Sequence, residues 1–139
     1  MAECLLSKEQ VMAIKPTIHK ATLSITNLDN HYYNEHTLTV AKHPSETDTR
    51  MMVRILTFAL HASEDLQFTK GLSTDDEPDL WLKSQSGEII DWIELGQPDE
   101  KRLRKACGRA KNVWIYCYSG NSADVWWQQN KGKFNRFSN

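Results

Sequence analysis

Residues 78–96 read PDLWLKSQSGEIIDWIELG and have the pattern of a β-hairpin. PDLWLK forms one arm, SQSG contains the turn residues, and EIIDWIEL forms the other arm. If the turn centres on Ser86 and Gly87, Trp81 faces Trp92 across the two strands. The two tryptophans and several β-branched residues predict burial on both faces, which places the hairpin in the centre of a sheet.

The same register predicts that Lys83 faces Ile90 and that Asp79 lies opposite Glu94. Directly opposed side chains sit roughly 4.5–5.5 Å apart at Cβ, and like charges at that separation destabilise the pair. Glu94 also interrupts an apolar run, where burial of an unpaired carboxylate costs on the order of several kcal/mol. Two facing carboxylates become favourable when a divalent cation lies between them. The alternative is an edge hairpin with both carboxylates in water, and the spacing alone leaves both interpretations open.

The chain before this hairpin predicts two strands and a helix. Apolar and polar residues alternate over residues 17–25 and 32–41, with turn residues at 27–30, which indicates an antiparallel strand pair. A helix is predicted to begin at Ser45 as the N-cap and to end near His61, because apolar residues recur there at helical spacing. Residues 66–68 predict a further short strand.

The chain after the hairpin predicts a crossover. Pro98 suits the first turn of a helix that runs to about residue 110. Residues 112–118 form a continuous apolar run, which indicates a buried strand. A strand, a helix and a second strand in this order predict that the second strand lies parallel to the strand that carries Glu94.

The last part of the chain predicts another helix at 122–131, in which Trp126 and Trp127 are interpreted as core residues. FNRF at 134–137 alternates in the manner of a strand.

Composition and cysteine content indicate a cytoplasmic protein. The 139 residues are 25% charged and 40% hydrophobic, as expected for one globular domain. No apolar run approaches the length of a membrane span, and the N-terminus lacks the pattern of a secretory signal. The three cysteines form no CxxC pair, which favours reduced thiols over a disulfide framework or a zinc site.

Charge is divided unevenly along the chain. Residues 1–100 contain 8 Lys and Arg against 17 Asp and Glu, a net charge of −9, whereas residues 101–139 contain 9 against 1, a net charge of +8. An acidic centre followed by a basic flank suits a metal site beside a phosphate-binding surface. A solvated helix face is the alternative explanation for the basic helix over residues 101–111.

Several motifs resemble a known family. PD, a hairpin-sized gap and an acid near the end of the second strand resemble the core of PD-(D/E)XK nucleases. HPSETDTRMM, DDEPDLW, WIELGQPDE and WWQQN together resemble the YaeQ family, a branch of that superfamily, from about residue 12 to residue 139. The resemblance implies a restriction-endonuclease-like α/β fold, with a mixed sheet of five or six strands flanked by helices. Residues 1–11 are then an N-terminal extension, and residues 12–139 form a single domain.

The resemblance also implies a metal site. In nucleases of this type, acids at the positions of Asp79 and Glu94 hold Mg²⁺ or Mn²⁺, and the carbonyl at the position of Leu95 adds a ligand. An acid on the first helix often points at the metal, and Glu46 is that acid by resemblance. Its alternative roles are a favourable charge at the helix N-terminus and an i,i+4 pair with Arg50.

One position departs from the family motif, because Gly96 stands where the motif usually has a lysine. A long side chain from the next helix is expected to replace it, and the candidates are Lys101, Arg102 and Lys105. Gln128 is expected to contact the substrate or a metal-bound water.

The resemblance and the departure at Gly96 lead to two hypotheses for the function. The first is a metal-dependent nuclease that acts on DNA or RNA and binds it through the basic helix. The second is a catalytically inactive nuclease-fold domain that binds nucleic acid or a protein partner. Intact acids favour the first function, and the missing lysine favours the second.

The resemblance predicts an incomplete domain at the C-terminus, since family members continue for several tens of residues. A domain shortened in this way is expected to expose apolar groups. These groups are Trp114, Tyr116, Phe134 and Phe137.

Overall fold

The structure is a computed structural model that describes residues 15–69 and 76–139. The described residues form a mixed α/β fold with six strands in two sheets and three helices. They divide into two compact units, one ending at Met51 and one beginning at Met52. The predicted extension over residues 1–11 lies outside the described residues.

The first unit contains a long antiparallel hairpin. β1 (Thr17–Asn27) pairs along its whole length with β2 (Tyr32–Lys42). The side-chain oxygen of Asn27 accepts hydrogen bonds from the backbone N–H groups of Asp29 and Asn30 and so closes the turn. The two predicted strands and their turn are therefore confirmed.

Helix α1 (Asp48–Leu60) begins later than predicted. The Oγ1 atom of Thr47, not of Ser45, accepts the capping hydrogen bond, from the Arg50 N–H at 3.1 Å. Ser45 is engaged elsewhere, because its hydroxyl lies 2.7 Å from Nδ1 of His43. This local contact is the reason that the predicted N-cap is wrong.

The second unit contains a four-stranded sheet in the order β3 (Leu66–Phe68), β4 (Leu80–Lys83), β5 (Ile89–Leu95) and β6 (Ala110–Tyr116). The first three strands are antiparallel, and β6 runs parallel to β5. The crossover is α2 (Glu100–Arg109), and α3 (Asn121–Phe134) follows β6. The central hairpin and the parallel crossover are both confirmed.

The prediction of one mixed sheet with five or six strands is wrong for the described residues, whose six strands form sheets of two and four. β1 and β2 are joined by a tight turn, so they satisfy each other's backbone groups locally. Alternation of apolar and polar residues reveals a strand but does not identify its second neighbour.

The β4–β5 hairpin contains a bulge that the sequence did not reveal. Trp81 pairs with Trp92 as predicted, but beyond Leu82 the register shifts and Lys83 pairs with Ile89. The prediction that Lys83 faces Ile90 is therefore wrong. Gly87 has φ of +87° and donates its N–H to the Ser84 carbonyl at 2.9 Å, which closes a three-residue loop. The register shift lies beyond this loop, where Ile90 is the extra residue of β5 between the Leu82–Asp91 and Lys83–Ile89 pairs.

Helices cover both faces of the four-stranded sheet within the second unit. Ala106 of α2 and the adjoining Ala110 pack with Trp92 in one buried cluster. On the other face, Phe58 of α1 stacks on Phe68 of β3, with ring centroids 5.5 Å apart. The sheet is thus buried on both sides, as the tryptophans and β-branched residues predicted.

Where a strand was predicted at 134–137, the structure has the last residue of α3 followed by a turn. Phe134 is the last residue of α3, and its ring packs against Trp126 and Trp127 at 5.4 and 6.2 Å between centroids. Spacings of seven and eight residues bring side chains together on a helix but not on a strand, so the predicted strand at 134–137 is wrong.

The apolar surface of this region is smaller than predicted. Among the four groups expected to be exposed, Trp114 is 44% exposed, whereas Tyr116, Phe134 and Phe137 are half-buried. Trp127, interpreted as core, is 49% exposed. In the described parts of the chain, no helix has the length and apolar character needed to span a membrane.

Substitution of Gly87 by alanine is expected to destabilise the protein by about 1 kcal/mol, because a Cβ is strained at positive φ. The control is Gly108→Ala inside α2, where the added Cβ meets open space and helix propensity rises. That variant is expected to be more stable than wild type by up to about 1 kcal/mol. Urea unfolding measures both, and a stabilised Gly87→Ala variant would contradict the loop geometry.

Candidate active site

The β4–β5 hairpin holds two buried carboxylates at one end. Asp79 directly precedes β4, and Glu94 is the last residue but one of β5. Each residue is 4% exposed. The Asp79 N–H donates to the Ile93 carbonyl at 3.0 Å, and its Oδ2 atom accepts from the Leu95 N–H at 2.8 Å. These two hydrogen bonds hold Asp79 against the strand segment that carries Glu94.

Glu94 is held by two donors that reach the same oxygen. The indole Nε1 of Trp92 lies 2.9 Å from Oε1, and Nε of Arg102 lies 2.8 Å from it. Residues two apart on a strand point to the same face, so Trp92 and Glu94 both face α2. Trp92 is fully buried there. The role of Trp92 as a donor was not predicted from the sequence, although its spacing of two residues from Glu94 was the available signal.

Arg102 connects the carboxylate to two other parts of the chain. It lies in the first turn of α2, where its backbone N–H donates to the N-cap residue Asp99 at 2.7 Å. Its guanidinium also donates from Nη2 to the Glu77 carbonyl at 2.7 Å. A planar guanidinium can make several such bonds at once, so one side chain joins β5, α2 and the segment before β4.

Burial raises the pKa of Glu94 above its ordinary value of 4.5, and the negative charge of Asp79 raises it further. The hydrogen bond from Trp92 and the charge of Arg102 lower this pKa without cancelling the effect of burial. Burial therefore has the larger effect on the pKa of Glu94. Its charged form is the disfavoured one in this environment.

The donor chemistry of the pair fits Mg²⁺ or Mn²⁺. Carboxylate oxygens are hard ligands, and Mg²⁺ commonly binds through one or two carboxylates while it keeps several waters. Within residues 15–69 and 76–139, no group of three or more His, Cys, Asp or Glu side chains is arranged to hold a metal ion. Asp79 and Glu94 could thus hold such an ion with water completing its shell. Leu95 contacts Asp79 through its N–H, and the role of its carbonyl as a ligand stays a prediction.

Glu46 belongs to the first unit, which ends at Met51. It is buried and lies just before α1 rather than in its first turn, and it pairs with Arg50 at 3.5 Å. The predicted i,i+4 pair is thus present. The implied role of Glu46 at a metal stays a prediction.

The backbone explains the missing lysine. Gly96 has φ of +102°, a conformation that side-chain-bearing residues rarely adopt, and its N–H donates to the Tyr116 carbonyl at 2.9 Å. A lysine here would be strained even though its Cβ would meet open space. The turn that ends β5 thus favours glycine at this position.

The structure separates the three side chains that were candidates to replace the lysine. Arg102 contacts Glu94, whereas the Lys105 ammonium forms an ion pair with Asp76, and Lys101 is exposed. Gln128 is exposed on α3, two residues from Trp126 and hence on the opposite side of that helix from it. Its predicted contact with substrate therefore has no support from the geometry.

A cleft of about 460 Å³ opens beside the Arg102–Glu94 pair. We name it the carboxylate cleft, and it is lined by Asp76, Asp99, Lys101, Arg102 and Lys105. Three cations and two acids give its lining a positive balance. An anionic ligand such as a phosphate therefore matches the charge of the cleft better than a cation does.

Comparison with known proteins identifies relatives along most of the chain. The model of the YaeQ protein family matches residues 12–139. The "Uncharacterized protein YaeQ" of Escherichia coli (strain K12) is 48% identical over 128 residues, which cover 92% of this chain and 71% of that protein. The protein of the same name from Salmonella typhi is 47% identical over the same shares of the two chains.

Two crystal structures share the fold. The YaeQ protein from Xanthomonas axonopodis pv. citri is 48% identical and superposes with a TM-score of 0.83, covering 87% of this chain and 68% of that one. The YaeQ protein from Pseudomonas syringae is 38% identical, with a TM-score of 0.85 over 89% of this chain and 68% of that one.

The raised pKa of Glu94 predicts a pH dependence of stability. Between 4.5 and the raised value, the folded protein binds more protons at Glu94 than the unfolded chain does. The contribution of Glu94 to the free energy of unfolding is thus fully present below its pKa in the unfolded chain. This contribution is lost as pH rises through its pKa in the folded protein. Stability relative to Glu94→Gln should therefore fall over this range in urea unfolding at several pH values. If the stability of wild type relative to Glu94→Gln rises with pH instead, the charge of Arg102 has a larger effect than burial on the pKa of Glu94.

Removal of the Arg102 guanidinium should leave a buried carboxylate without its cation. Because Arg102 is partly exposed, we expect Arg102→Ala to lower the free energy of unfolding by about 2–3 kcal/mol, below the full effect for a buried pair. Arg104→Ala, which removes an exposed arginine from the same helix, is expected to change it by less than about 0.5 kcal/mol. Equal effects in urea unfolding would contradict a special role for Arg102.

Proposed function

Because the chain belongs to the YaeQ family, we propose that it is a metal-dependent nuclease of the PD-(D/E)XK type that hydrolyses phosphodiesters of DNA or RNA. The observation that carries this proposal is the burial of Asp79 and Glu94 beside each other at one end of the central hairpin. Two like charges in this position are unfavourable, and a divalent cation would relieve the repulsion. The central hairpin and its flanking helices also support a restriction-endonuclease-like fold as part of this proposal.

Mg²⁺ or Mn²⁺ bound here would polarise the phosphodiester and lower the pKa of a bound water. The protein contributes the orientation of the ligands. The Leu95 N–H holds one oxygen of Asp79, and the Trp92 indole holds one oxygen of Glu94. Because both donors come from β5, the strand itself fixes the position of the two carboxylates.

Arg102 is the side chain that we propose for the charge-stabilising role of the motif lysine. It is already at Glu94, and a guanidinium binds phosphate oxygens with two parallel hydrogen bonds. Its contact with the Glu77 carbonyl holds it on the side of the carboxylate cleft. A guanidinium stays protonated, so Arg102 would stabilise developing negative charge and would not accept the proton of the attacking water.

A catalytically inactive domain that binds nucleic acid or a protein partner is the second candidate function. The observation that favours it is the Arg102–Glu94 ion pair at 2.8 Å, which already supplies Glu94 with a positive charge. Gly96 adds to this argument, because it leaves no lysine at the usual position. In an inactive domain, the pair would serve only to join β5 to α2.

The two functions are distinguished by conservative changes at the acids. Asp79→Asn and Glu94→Gln are expected to reduce Mn²⁺-dependent cleavage at least about 100-fold, since an amide carries no negative charge for the ion. The control is Glu88→Gln, the same change at an exposed acid in the hairpin. Cleavage is measured on single- and double-stranded DNA and RNA, with Mn²⁺ or with EDTA.

Calorimetry with Mn²⁺ accompanies these assays, and wild type and the Glu88→Gln variant are expected to bind the ion while the other two variants lose it. Wild type that neither binds Mn²⁺ nor cleaves any of the four substrates would overturn the nuclease proposal in favour of the inactive domain. Arg102→Lys, which keeps a positive charge, is expected to retain more cleavage than Arg102→Gln. Equal activity of these two variants would remove the support for Arg102 in the charge-stabilising role.

A further inference from the structure

Glu100, the first residue of α2, gathers three cations at its carboxylate. Arg104 Nη2 lies 2.9 Å from Oε1, Arg136 Nη2 lies 3.0 Å from it, and Lys133 Nζ lies 4.0 Å from Oε2. The three cations come from α2, from α3 and from the segment after α3. Because one negative charge faces three positive charges, the cluster retains an excess of positive charge.

The three cations remain accessible to solvent. The side chains of Arg104 and Arg136 are each 64% exposed, and that of Lys133 is 52% exposed. An exposed ion pair is screened by water and contributes little to stability, so a ligand can replace it without a large penalty. The cluster is therefore available to an external anion.

A cleft of about 520 Å³ lies between α2 and α3 at this cluster, and we name it the helix cleft. Three cations, two acids, two amides and one indole line it: Lys101, Arg104, Lys133, Asp99, Glu100, Gln97, Asn130 and Trp126. The indole of Trp126 donates to the Pro98 carbonyl at 3.1 Å, which ties α3 to the loop before α2. The helix cleft thus combines cations, an amide and an aromatic ring, which are groups that contact phosphates and bases.

The helix cleft and the carboxylate cleft adjoin each other. Asp99 and Lys101 line both of them. The N-terminus of α2 thus separates two neighbouring depressions, one beside Glu94 and one beside the Glu100 cluster. A ligand that occupies both must present anionic groups at successive positions along its length.

We propose that the helix cleft binds the phosphate backbone of a nucleic-acid strand that continues into the carboxylate cleft. This inference rests on the proposed function, since the carboxylate cleft is lined by Arg102, the partner of Glu94, and a strand that enters it would bring a phosphodiester to that side chain. A sugar–phosphate backbone carries a negative charge at each nucleotide, as successive clefts require. The contact surface then lies between α2 and α3 and does not extend along the whole basic helix over residues 101–111.

The internal contacts of α2 explain why this helix alone is an incomplete surface. Lys105 pairs with Asp76, and Arg109 donates to the Asp76 carbonyl at 2.8 Å and lies over the Trp92 ring. Lys111 beyond the helix pairs with Glu88. The cations that line the helix cleft come from two helices, and two of them, Arg104 and Lys133, share Glu100 as their partner.

The test measures binding without cleavage. Binding is recorded by fluorescence anisotropy in EDTA at several salt concentrations. The probes are a labelled 20-nucleotide DNA single strand and the matching DNA duplex. Arg104→Gln and Lys133→Gln are each expected to weaken binding about three- to tenfold and to reduce the slope of log K against log salt by about 1. Glu100→Gln removes a negative charge from the cleft and is expected to tighten binding about two- to fivefold.

Lys111→Gln is the matched control, because it removes the same charge from an exposed lysine that lines neither cleft. Its binding is expected to equal that of wild type. Equal weakening by Lys111→Gln and Lys133→Gln would show that only net charge matters and would overturn the proposal. Absence of binding to both DNA forms, or competition by polyglutamate as strong as by DNA at equal charge, would also overturn it.

The outcome is separable from that of the proposed nuclease activity. Binding in EDTA and cleavage in Mn²⁺ are measured separately on wild type, and Asp79→Asn is expected to abolish the cleavage. If wild type binds DNA through the helix cleft but cleaves nothing, the proposed binding surface is supported and the proposed nuclease activity is overturned. If cleavage depends on Asp79 but Arg104→Gln and Lys133→Gln bind DNA as wild type does, the nuclease proposal is supported and the helix cleft is not the binding surface.

Discussion

The contact between Glu94 and Arg102 is the interaction on which the arrangement of the second unit depends. Glu94 lies in a strand that is buried on both faces, so its carboxylate requires donors from within the protein. Trp92 supplies one from the same strand, and Arg102 supplies another from α2. Because Arg102 also donates to the Glu77 carbonyl, the helix, the strand and the segment before β4 are held in one place.

This contact has two consequences for a possible metal site. It lowers the repulsion between Asp79 and Glu94, yet burial still raises the pKa of Glu94. The carboxylate is thus only partly compensated by the protein. A group of this kind is suited to a ligand that brings positive charge. Compensation that is already partly present is, equally, what a purely structural pair would show.

The constraint on Gly96 shows how a backbone turn can determine the chemistry beside it. β5 ends in a residue with positive φ whose N–H pairs with the Tyr116 carbonyl, so a side chain is disfavoured there. The positive charge at the carboxylates then comes from the next element along the chain. Arg102 can reach them because the Asp99 N-cap begins α2 only a few residues after β5.

Positive charge in the C-terminal part of the chain is used in two different ways. On one side of α2, Lys105 and Arg109 hold the segment at Asp76 and so support the candidate active site. On the other side, Arg104 joins cations from α3 and beyond at Glu100, where they stay exposed. The first group makes internal contacts, and the second group belongs to the surface for which we propose a ligand.

Local pattern was sufficient to predict most of the elements and part of the site. Alternation and turn residues predicted the hairpin that carries Asp79 and Glu94, and the pairing of Trp81 with Trp92 followed from its centre. The crossover rule predicted that β6 lies parallel to β5. These features depend on residues close in sequence or on the handedness of the connection. Features of both kinds can be predicted from the sequence.

Tertiary structure alone decided which partners meet. The helix begins after Thr47 and not after Ser45, whose hydroxyl contacts His43, and an extra residue at Ile90 shifted the register beyond Leu82. The choice of Arg102 over Lys101 and Lys105 at Glu94 followed from the direction in which each side chain leaves α2. A sequence by itself determines periodicity and turn chemistry, whereas selection among several similar cations depends on distances between elements that only the packed chain defines.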